Sequence, residues 1–148
     1  MKPLPPPRSK TLAAWLAVVL GWLGAHRFYL RGASDRAGWL YPLPSLLGLW
    51  GLWRVHELGQ DDRLAWLLVP LLGLAITAAM LSAITYALTP DERWHARWGA
   101  GRAPVPNTGW GPVLAAVIAL LLGGGVLMAT LAYSGTRLYE WQANASAD

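Results

Sequence analysis

The chain contains no cysteine and a single phenylalanine, and charged side chains make up only 14% of its 148 residues. Without cysteine there is no disulfide frame, no thiolate metal site and no cysteine nucleophile. The shortage of charge excludes more. An average soluble domain is about 25% charged, and a chain of one domain's length must cover a large surface for its volume. Twelve Lys+Arg, eight Asp+Glu and three His are too few for that. A hydrophobic content of 55% equally excludes disorder. What is abundant points the same way. Ten Trp and five Tyr are rings with a polar edge, which favour the headgroup boundary of a bilayer. The composition is that of an integral membrane protein. Its net charge of +4 comes from basic residues scattered singly between apolar runs. Such a pattern gives no stripe to track a nucleic acid and suits anionic lipid headgroups instead.

Four charge-free stretches cover residues 11–25, 37–53, 64–90 and 103–136. A helix over 64–88 would reach about 37 Å, and one over 113–137 a similar length, against a hydrocarbon core of about 30 Å. The first stretch crosses only if its helix continues through His26 to Leu30. The second carries Pro42 and Pro44, so it kinks or begins as interfacial backbone. It just spans if it starts at Ser34 or Asp35, both suited to an N-cap. The expected fold is therefore all-α, an integral membrane four-helix bundle. A short helical hairpin over 11–57 precedes two longer transmembrane helices within 58–138. A mobile N-terminal tail (1–10) and a C-terminal tail (139–148) flank them. Lys2, Arg8 and Lys10 ahead of an apolar core resemble a signal peptide, but Leu23-Gly24-Ala25 is a poor cleavage site.

Small residues recur four apart at Ala13, Ala17, Gly21 and Ala25, at Ala75, Ala79, Ala83 and Ala87, and at Ala115, Ala119 and Gly123. In lipid, where no hydrophobic drive holds helices together, such stripes permit close backbone approach. A self-packed bundle is the simpler consequence. Between the third and fourth spans, Thr89-Pro90-Asp91-Glu92 reads as a capping box with Pro at the first helical position. A short interfacial helix near 90–98 follows, with Trp94 and Trp98 on one face and Arg93 and Arg97 on another. These four residues are the expected anchor.

Gly21-Trp22-Leu23-Gly24-Ala25-His26-Arg27-Phe28-Tyr29-Leu30 resembles the signature of the TM2 domain. In that family of two-span membrane modules, a turn carrying an Asp/His-Arg-Phe motif joins the spans. The likeness covers roughly residues 8–57. Arg31 stands where the family usually has glycine, and the Pro42-Leu43-Pro44 kink is unusual for it. The remainder resembles the extra pair of spans of some bacterial members. The resemblance implies a multi-pass protein of the bacterial inner (plasma) membrane, with the His-Arg-Phe turn in the cytosol.

Arg27 sits in a predicted span, where an arginine at the centre costs about 2.5–3.5 kcal/mol on insertion scales. It must reach headgroups or a carboxylate, and Asp35 across the turn is nearest. The candidate lipid- or partner-binding residues are thus His26, Arg27, Phe28, Tyr29 and Asp35. No catalytic group, metal ligand set or cofactor motif stands out, because His26, His56 and His95 lie on three different connections. The expected role is a non-catalytic module that binds anionic lipid headgroups or an unidentified membrane protein. The alternative is a small transporter or channel component, for which Thr77, Ser82 and Thr85 are the third span's few polar groups. With four crossings both termini share one side, and the basic residues divide six against six, leaving orientation undecided.

Overall fold

The computed structural model describes residues 7–99 and 109–146. Among them all regular structure is helical: α1 (Lys10–Leu20), a 3-10 turn (Gly21–Leu23), α2 (Ala25–Arg31), α3 (Pro42–Leu58), α4 (Arg63–Leu88), α5 (Asp91–Trp98) and α6 (Gly111–Ala145). Residues 1–6 of the expected tail, and 100–108 with Arg102, lie outside the described residues. The all-α class is as expected.

Among the described residues, helices α4 and α6 are the two that are long and apolar enough to cross a bilayer. At 1.5 Å per residue they reach about 39 and 52 Å. Asp62 caps α4 by accepting the Ala65 N–H at 3.3 Å. Helix α6 outlasts its apolar run: residues 139–145, expected as tail, continue it. No breaker intervenes, and Arg137 pairs with Glu140 one turn on at 2.7 Å. The small-residue stripes are where these helices meet. Ala13, Ala17, Ala79, Ala83, Ala115 and Ala119 are fully buried, and Gly123 lies against Met80. Large apolar side chains such as Leu46, Trp53, Leu67, Leu81, Leu121 and Met128 point outward instead. A shell of that extent is what a lipid solvent permits.

The N-terminal hairpin departs from expectation. A helix continuing from residue 11 to Leu30 does not form. Helix α1 runs antiparallel to α4 and stops beside Ala79, where a Cβ on Gly21 would fall 2.5 Å from that of Ala79. Ala79 lies about 13 Å along α4 from Leu88. Gly24 then takes φ +76°, a left-handed conformation that glycine adopts freely. The Gly38 carbonyl oxygen would sit 2.5 Å from any Cβ placed there. The chain doubles back, and α2 returns along α1 until Leu30 packs on Ala13 and Trp94. Gly32, at φ +84°, ends α2 one residue after Arg31.

Helix α3 begins at Pro42 rather than at Ser34 or Asp35. A proline in the first turn removes an N–H that would have had no helical partner. The Ser45 hydroxyl donates to the Trp22 carbonyl at 2.6 Å, joining the start of α3 to the 3-10 turn that follows α1. From there α3 descends α4, with Gly48 against Leu72 and Gly51 against Leu68. So α1 flanks the Leu88 half of α4 and α3 flanks the Arg63 half. The start of α1 lies at the Leu88 end, since Lys10 Nζ meets the Thr89 carbonyl at 2.9 Å. The last turns of α6 lie at the other, where Arg137 reaches Gln60. The start of α1 and the last turns of α6 thus lie at opposite ends of α4, where four full crossings would bring them to one end.

Candidate functional site

The short helix α5 forms where the sequence places it, with Asp91 and Glu92 at its positive end. The capping box does not. Pro90 is the N-cap, and the Thr89 hydroxyl donates back to the Thr85 carbonyl at 2.6 Å. Lys10 anchors the helix instead, its Nζ 2.6 Å from Asp91 Oδ1. Trp94 faces protein rather than lipid. It is 4% exposed, stacks edge-on with Tyr86, and donates its indole N–H to the Arg8 carbonyl at 2.8 Å. Arg8 in turn donates its N–H to the Trp98 carbonyl at 3.1 Å, so residues 8–10 of the expected mobile tail are held in place.

The fold-back of α2 has a consequence for charge. It brings Arg27 and Arg31 to the same cavity as Arg93 and Arg97 of α5. This bowl holds about 130 Å³ and is walled by Leu30, Tyr86, Trp94 and Trp98, with Thr85 and Thr89 between. Asp35 is the carboxylate that answers these charges. It accepts Arg27 Nε at 2.9 Å and lies 4.0 Å from Arg31 Nη1. Arg93 and Arg97 are exposed and form no ion pair among the described residues. Arg97 lies over the Trp98 ring at 5.7 Å. Three guanidinium charges are therefore left uncompensated around one small cavity.

A TM2 domain family model matches residues 6–58. No curated protein and no solved structure matches the chain. The TM2 match and the two long apolar helices mark a membrane protein.

Of the residues singled out within the TM2 segment, Arg27 alone lines the bowl. Asp35 orients it. His26 is fully buried between Tyr41 and Tyr86, with ring centroids 5.0 and 5.8 Å away and no hydrogen-bond partner on either nitrogen among the described residues. Phe28 meets Trp39 edge-on at 5.3 Å and covers Gly38. Tyr29 accepts the Ser9 N–H and lies under Arg8. These three hold the TM2 hairpin closed. From α5, all four singled-out residues line the bowl. Leu30, Arg31, Thr85, Tyr86 and Thr89 also line it and were not among the candidate binding or anchor residues. Arg31 carried a signal, as a charge where the TM2 pattern has glycine. In α4, Thr77, Ser82 and Thr85 each donate to the carbonyl four residues back, at 2.7–2.9 Å.

Proposed function

We propose that this protein is a non-catalytic, multi-pass membrane module that holds an anionic lipid headgroup in the bowl between α2 and α5. The carrying observation is the convergence of Arg27, Arg31, Arg93 and Arg97 on one cavity answered by a single carboxylate. Guanidinium groups present paired donors that match phosphate oxygens, and the indole walls suit the headgroup depth. The TM2 hairpin supplies Arg27 and Arg31, and α5 supplies the opposing pair.

The same fold supports a topology of three crossings, by α4, α6 and the stretch from Asp35 through α3. The α1–α2 hairpin enters and returns on one side. On this reading, among the described residues, the Leu88 end carries Arg8, Lys10, Arg27, Arg31, Arg36, Arg93 and Arg97, and the Arg63 end carries Arg54, Arg63 and Arg137. Seven against three orients the bowl to the cytoplasm. In a bacterial inner membrane that face meets anionic lipid. The transporter alternative has less support, because the hydroxyls of α4 are bonded to their own helix.

The test is native mass spectrometry of the protein in mild detergent, titrated with phosphatidylglycerol. Arg93→Gln combined with Arg97→Gln leaves Asp35 paired with Arg27 and Asp91 paired with Lys10. Binding by this variant should weaken by roughly tenfold or more, since each lost charged hydrogen bond is worth about 1.5–3 kcal/mol. Retention equal to wild type overturns the proposal.

A further inference from the structure

A second basic feature lies at the opposite end, independent of the bowl. Between the start of α4 and the last turns of α6 is a groove of about 510 Å³. Its rim carries Arg63 and Arg137, and its walls are Trp66, Leu67, Pro70 and Leu138. The Arg137 guanidinium lies 5.4 Å from the ring centroids of both Trp66 and Tyr133. It donates to Glu140 Oε2 at 2.7 Å and to Gln60 Oε1 at 3.2 Å. Its Nε is buried with no hydrogen-bond partner among the described residues. A guanidinium has five N–H donors; with Nε buried and Nη1 and Nη2 each donating once, at most two remain for a ligand. The Trp66 ring is itself fixed, donating its N–H to the Gln60 carbonyl at 2.8 Å. Arg63 is exposed and forms no ion pair among the described residues.

Two features identify the occupant. Of the charges that line the groove, Arg63 is unpaired and Arg137 is paired with Glu140, which leaves one positive charge at the rim to complement the single negative charge of a phosphodiester. Below that charge the groove is apolar and open sideways, with Leu67 72% and Leu138 55% exposed. A free anion has no use for such walls, whereas an acyl chain does. We infer that this groove seats one anionic glycerophospholipid, its phosphate at Arg63 and Arg137 and a chain along Leu67, Pro70 and Leu138. The lipid comes from the leaflet facing away from the bowl.

The experiment uses the full chain in mild detergent, followed by native mass spectrometry with phosphatidylglycerol, phosphatidylcholine or inorganic phosphate added. Wild type should retain a phosphatidylglycerol that Arg63→Gln weakens by roughly tenfold. Leu67→Trp, which fills the groove and leaves every charge in place, should weaken it as well. The Arg93→Gln, Arg97→Gln pair should leave this equivalent untouched. If the bowl binds nothing, the wild type still holds one lipid that responds to Arg63. Equal retention by Arg63→Gln and Leu67→Trp overturns the inference. So does phosphatidylcholine bound as tightly, or inorganic phosphate displacing the lipid.

Discussion

The backbone N–H of Ser9 donates to the Tyr29 hydroxyl at 2.9 Å, although twenty residues separate them. That contact places the end of α2 beside the start of α1. A chain that crossed in α1 and stayed across would put Tyr29 on the far side. The absence of native cysteine makes the consequence easy to test with single cysteines at exposed positions. Pro7→Cys and Ser34→Cys should react with an impermeant maleimide from one face of the membrane, and Gln142→Cys from the other. Four full crossings would instead pair Pro7 with Gln142.

The hairpin depends on two glycines, for different reasons. At Gly24 the backbone is left-handed, costing a side-chain-bearing residue about 1–2 kcal/mol before any clash. The Gly38 carbonyl adds the clash. At Gly21 the conformation is ordinary and the obstacle is Ala79. Gly24→Ala and Gly21→Val should each lower the melting temperature, by about 1–3 kcal/mol of overpacking in the second case. Gly124→Ala meets nothing within 4 Å and serves as the control. A melting temperature for Gly24→Ala equal to that of Gly124→Ala would contradict the fold-back.

Much of this was legible beforehand. Hydropathy alone located α4 and α6, and four-residue spacing located the alanines that pack them. The Arg27–Asp35 pair followed from the rarity of unpaired charge in lipid. The direction of α2 was not legible, because an apolar run carries no sign for the turn that interrupts it. Gly24 permits a reversal without requiring one. The bowl was hidden for the same reason. Arg31 and Arg93 stand 62 positions apart, and only the returning α2 puts them around one cavity. Trp94 misled in a different way. Its spacing from Trp98 matched an interfacial anchor, but the bulk of the hairpin covers it.

Trp94 should accordingly behave as a core residue. Trp94→Ala removes a buried ring that touches Ala13, Leu30 and Tyr86, and should destabilise by about 3–5 kcal/mol. Trp94→Phe keeps most of that contact and loses the hydrogen bond to the Arg8 carbonyl, for about 1 kcal/mol. Thermal unfolding in detergent should rank the three proteins in that order. An anchor in lipid would show little difference between Phe and wild type, and a smaller loss for Ala.

The connection between α3 and α4 sets an acid limit on stability. Asp62 accepts Arg54 Nε at 2.6 Å and Nη2 at 3.0 Å while capping α4. The Arg54 hydrogen bonds, against an opposing effect of burial, hold its carboxyl below the usual value. A carboxyl with a lowered folded value stabilises fully above its unfolded value, about 3.9. That contribution fades as pH falls through the folded value. The wild-type unfolding temperature should therefore show no loss from this site between pH 7 and about pH 5, and a fall below about pH 4. Asp62→Asn preserves a competent N-cap and removes the titrating pair. It should start lower at pH 7 and lack that share of the acid-induced fall. An unchanged acid profile would show that Asp62 does not couple the two helices.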